Sequence, residues 1–130
     1  MIQIIRNITS QIAAPLVLSG KPIITIDQDD INDIIQGNKA TLLISEELAS
    51  VDWQTMFSKI IAELKRECVN IKHITRMIIQ LSFPSAHPLY MDQLSSADTL
   101  MVELNDLVKI IFGLTENATD KKKIMIIYSE

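Results

Sequence analysis

Four aspartates, Asp27, Asp29, Asp30 and Asp33, crowd the stretch IITIDQDDINDII at residues 23–35. Carboxylates at a helix start accept backbone N–H groups that have no partner within the helix, and they complement its dipole. Asp29 or Asp30 alone would suffice for that, so capping leaves the surplus of mutually repelling charge unexplained. A calcium loop is the other chemistry the run suggests. It fails on position: Ile31 falls where the fifth ligand belongs, and Asn32 where the turn needs glycine.

Other chemical patterns fail in the same way. In SGKP, Pro15 stands in place of the first glycine of a phosphate-binding loop, and Pro22 follows Lys21 where Ser or Thr should meet magnesium. His73 and His87 lack metal-ligand spacing, and no Ser–His–acid arrangement can be argued. Cys68 is the only cysteine, which excludes an internal disulfide and a thiolate zinc site; it lies on an apolar helical stripe and reads as a small core residue. No metal or cofactor site is expected.

The elements that must position the aspartates belong to a chain of 130 residues, long enough for one cored domain, 1–130. Its 48% apolar content, mostly aliphatic, favours a packed α/β interior. A net charge of −4 and a single short basic run, Lys121-Lys122-Lys123, argue against a nucleic-acid partner; that run reads as a solvated turn or strand start. No apolar stretch reaches membrane-spanning length and no leader pattern opens the chain, so a cytoplasmic location is expected and the sequons at Asn7 and Asn117 are chance matches.

Apolar spacing predicts an amphipathic helix over 2–14, ended by Pro15, then a loop or short extended piece over PLVLSGKP. A short helix follows the acidic cluster, with Gly37 as its left-handed cap. Strands are expected at 39–45, 74–83, 108–115 and 121–129, and helices at 53–68, capped by Ser50 or Asp52, and at 90–104. The fold predicted is α/β: a four-stranded mixed sheet with two main helices, a parallel core from the strand–helix–strand units, and the last two strands closed as an antiparallel hairpin through ENATD.

The segment IIRNITSQIAAP…IITIDQDDINDII resembles the junction in the FtsZ/tubulin superfamily where the long central helix meets the activation domain. Asp27 and Asp30 match the two aspartates of that family's Asn-x-Asp-x-x-Asp loop, and Thr25 stands at the asparagine. ITRMIIQLSF, YMDQLSSADTLMVEL and VKIIFGLTENATDKKKIMIIYS, with Gly113, are similar to the central strand, the next helix and the closing strands. Only three glycines occur, none clustered, so the family's phosphate loop is absent from the chain.

The resemblance implies a C-terminal, activation-type domain of a filament-forming cytoskeletal GTPase, of the kind that serves cell division, with residues 1–14 as the end of its connecting helix. It implies that Asp27 and Asp30, supported by Thr25 and Asp29, position the water that attacks the γ-phosphate of GTP on a neighbouring subunit. GTP and magnesium would come only through a partner GTP-binding domain of the same or a neighbouring subunit. The alternative is a free-standing, non-catalytic interaction or regulatory protein with this fold; a third reading is an unrelated α/β binding module whose acidic cluster is only a cap.

Overall fold

The computed structural model describes residues 2–35 and 40–129. Strand β1 (Ile2–Ile5) is followed by helix α1 (Ser10–Val17), strand β2 (Lys21–Ile24), helix α2 (Gln28–Ile35), strand β3 (Ala40–Leu48) and helix α3 (Trp53–Glu67). Strand β4 (Arg76–Pro84), the short helices α4 (Met91–Leu94) and α5 (Asp98–Met101), and strands β5 (Lys109–Asn117) and β6 (Lys121–Ser129) complete the chain.

All strands join one six-stranded sheet in the order β1-β3-β6-β4-β5-β2. Only β4 and β5 pair in parallel; the other pairings are antiparallel. Helical layers cover both faces. Trp53, Met56, Phe57, Ile60 and Leu64 of α3 pack on Met77, Ile79, Ile124 and Ile126 on one side. On the other, Ala13 and Val17 of α1 with Ile31 and Ile34 of α2 pack on Leu42, Ile78, Met125 and Ile127. Alternation along β4 and β6 therefore feeds both cores, which is why these strands read as continuous apolar runs. Each fully buried large side chain contributes about 1.5–3 kcal/mol.

The four expected strands and the long helix form close to the predicted bounds, and Asp52 caps α3, its Oδ1 accepting the Thr55 N–H at 2.7 Å. The sheet has six strands, not four, because two short edge strands were not foreseen. Residues 2–14 are not one helix. Ile2–Ile5 line the edge of β3, the chain turns through Asn7 at a positive φ of 53°, and Ile8 N–H bonds Ala40 O at 3.0 Å before α1 begins. Pro15 lies inside α1 rather than ending it; it is exposed, and the helix forgoes one backbone bond there. Gly20, at φ 86°, then turns the chain into β2.

The expected terminal hairpin does not form. β6 does not pair with β5 but inserts between β3 and β4. The link 118–120 arches over the end of β4, where Ser85 N–H bonds Asn117 O at 3.0 Å. Crossing one strand means spanning about 10 Å, within reach of three extended residues at about 3.3 Å each. Both edges of the apolar β6 are thereby paired. The helix expected at 90–104 is a chain of short turns, α4, a 3₁₀ turn (Ser95–Ala97) and α5. Ser95 Oγ donates to Asp92 O at 2.7 Å and Thr99 Oγ1 to Ser96 O at 3.0 Å, which favours the tighter turn. The cap expected at Gly37 and the strand start at Lys39 lie outside the described residues.

Candidate functional site at the acidic turn

Residues 25–27 link β2 to α2, and α2 opens with Asp29 and Asp30 in its first turn. Asp27 Oδ1 accepts the Asp30 N–H at 2.9 Å, and Asp30 Oδ2 accepts the Asp27 N–H at 3.2 Å. The two residues thus form a reciprocal capping box, each carboxylate satisfying the other's backbone donor. Asp27 is exposed and Asp30 half-buried. One oxygen on each, Asp27 Oδ2 and Asp30 Oδ1, takes no hydrogen bond among the described residues.

The other two aspartates stand apart. Asp33 binds Arg76 Nη1 at 2.9 Å and lies 3.9 Å from Lys109 Nζ, and Arg76 also donates to its backbone carbonyl at 3.2 Å. This ties α2 to the starts of β4 and β5. Asp29 is exposed, and its carboxylate has no partner among the described residues; Thr25 is exposed on the incoming link. The structure brings Asp27 and Asp30 together, sets Thr25 and Asp29 beside them, and uses Asp33 as an anchor. Among the described residues no group of three Asp, Glu, His or Cys is arranged to hold a metal ion.

The turn is held from beneath by residues that sequence reading missed. Ile26, just before Asp27, is 2% exposed and lies over Gly113, where an added Cβ would fall 2.5 Å from Ile26 Cδ1 and against Gln80 Oε1. Gln80 is 1% exposed and donates from Nε2 to Val17 O at 3.1 Å, binding the end of α1 to the middle of β4. The signal available was a glycine inside an apolar strand, which marks a close approach.

The mixed sheet between two helical layers has the fold of an FtsZ/tubulin-type domain. The likeness is direct. An FtsZ point mutant from M. jannaschii matches with a TM-score of 0.67 and 17% identity, over 88% of this chain and 35% of its own. The empty FtsZ dimer of M. jannaschii gives 0.61 at 15% identity, over 88% of this chain and 34% of that one. TubZ-Bt, in a helical four-stranded filament, gives 0.64 at 18% identity, over 85% and 29%. The chain therefore spans about a third of the length of these structures. No family model and no curated protein sequence matches the chain. No described helix is long and apolar enough to cross a membrane.

Proposed function

We propose that the chain is the C-terminal, activation-type domain of an FtsZ/tubulin-like cytoskeletal GTPase, and that Asp27 and Asp30 face the GTP of a neighbouring subunit in a filament. One observation carries this reading: each carboxylate spends one oxygen on the cap, and its other oxygen takes no hydrogen bond among the described residues. A carboxylate fixed by a backbone N–H points its second oxygen in a set direction, which orienting an attacking water requires. Thr25 and Asp29 stand exposed beside the turn. GTP and its magnesium would be held by the partner GTP-binding domain. This chain cannot cradle phosphate alone, since Asp29 and Asp30 in the first turn of α2 repel it. The isolated domain should bind GTP no more tightly than about 1 mM, or roughly 4 kcal/mol, by calorimetry.

The capping box dictates the variants that test the site. Asp27→Asn and Asp30→Asn keep an acceptor oxygen for the cap and remove the charge. In an assembly with an active GTP-binding domain, both should slow phosphate release per folded subunit by about 10²–10⁴-fold with little change in melting. Asp29→Ala serves as control and should leave turnover near normal. Normal turnover for both Asn variants in an active assembly would remove the composite-site reading.

The same box favours a second reading, a non-catalytic interaction protein of this fold, because capping alone then accounts for Asp27 and Asp30. Under it the Asn variants are silent, and Asp27→Ala or Asp30→Ala costs about 1 kcal/mol of stability.

A further inference from the structure

On the α3 face of the sheet, opposite α2, a cavity of about 250 Å³ is walled by Trp53, His87, Pro88, Tyr90, Gln93 and Lys122. Lys122 enters from the start of β6 and is only 7% exposed. Its Nζ donates to Val51 O at 2.6 Å and sits 5.1 Å from the centre of the Trp53 ring. The neighbours Lys121 and Lys123 both pair with Glu46, whereas Lys122 forms no ion pair among the described residues. Burial holds its pKa below the usual lysine range, with Asp52 acting weakly the other way. A buried cation with no ion-pair partner in contact is costly, and an anion entering the cavity would relieve that cost.

The rest of the wall narrows the class of anion. Among the described residues no acidic side chain lines the cavity. Gln93 Oε1 already accepts the Tyr90 N–H at 2.9 Å, so its amide nitrogen is the end left to donate. With one N–H committed to Val51, Lys122 keeps two donors, a match for the two oxygens of one carboxylate. Pro88 and Tyr90, both exposed, supply apolar surface, while Trp53 is 3% exposed and its ring lies beneath Lys122. A benzene ring fills an apolar cavity of about 150 Å³, so the volume here admits one ring and a carboxylate beside it. We infer that this cavity binds a carboxylate on an aromatic body, with the carboxylate at Lys122 and Gln93 and the ring on Pro88 and Tyr90.

Trp53 is the only tryptophan, so its emission reports on the cavity. The probes are phenylacetate, the neutral phenylacetamide, inorganic phosphate, and a short peptide ending in phenylalanine with a free or amidated C terminus. Phenylacetate should shift the emission saturably with a dissociation constant of about 1 mM. The amide and phosphate should bind at least about tenfold more weakly, since a charge-assisted pair is lost or misfitted. Lys122→Met should weaken phenylacetate at least about tenfold, and Tyr90→Ala, at a residue 62% exposed, should weaken it without lowering the melting temperature. If Lys122→Met does not fold, Tyr90→Ala and Gln93→Ala carry the test. Tighter binding of the free-acid peptide than of phenylacetate identifies a chain terminus as the source; equal binding identifies a free carboxylate, and both support the site. No saturation, an equal response to the amide, or full binding by a folded Lys122→Met overturns it.

Discussion

Asp27 and Asp30 hold each other's backbone N–H, while Asp33 is bound to Arg76 and Asp29 faces outward. One acidic run is thus divided among a cap, an anchor and an exposed charge, and repulsion is tolerated because most members have a positive or N–H partner. A helix start at the acidic run was legible from its carboxylates, but the reciprocal cap of Asp27 and Asp30 was not, because a side chain's choice of oxygen is set by backbone turn geometry. Asp52 gives a pH test at this scale. Hydrogen bonds from the Thr55 hydroxyl and backbone N–H hold its carboxyl below the usual aspartate range. A depressed aspartate pKa stabilises the fold fully above the unfolded value and loses that contribution as pH falls through the folded one. Parent protein should therefore lose melting temperature relative to Asp52→Asn as pH drops below about 4. Parallel melting curves through that window would show that the Asp52 charge contributes nothing.

At the level of elements, Gly113 decides where the acidic turn sits. Ile26 and Gln80 occupy the space a side chain there would take, and both are too buried to swing aside. Gly113→Ala should cost about 1–3 kcal/mol by overpacking, read by urea denaturation. It should also move Asp27 and Asp30, so turnover in an active assembly should fall although neither aspartate is touched. An unchanged denaturation midpoint would mean that Ile26 and Gln80 repack freely. The helices and strands that bury one clear stripe were legible: α3 and the strands β3 to β6 follow their apolar patterns. The first residues were not, since Ile4, Ile5, Ile8 and Ile12 satisfy helical spacing while Ile2–Ile5 can equally lie along an edge strand. The waiting edge of β3 decides between them. The place of β6 was illegible for a related reason: a short link suggests a hairpin, yet nothing local to β5 and β6 records that β4 lies between them.

For the molecule as a whole, β6 is the middle of the assembly, paired along its length to β3 and over seven residues to β4. Glu46 fixes that register, bridging Lys123 directly across at 3.4 Å and Lys121 on the diagonal at 3.3 Å. Burial pushes the Glu46 carboxyl upward, but the two lysines outweigh it and hold it below its ordinary range. Hydrogen exchange should be slowest at Ile124–Ile127, which feed both cores, and much faster in the edge strands β1 and β2. Equal protection across the sheet would contradict this ranking. Without β6 the sheet falls into two unconnected parts, β1-β3 and β4-β5-β2. The strand that joins them is the last of the six to leave a ribosome. During synthesis the nascent chain must therefore carry two open apolar strand edges until β6 emerges, so premature termination just upstream of Lys121 would yield not a smaller domain but a substrate for chaperones and proteases.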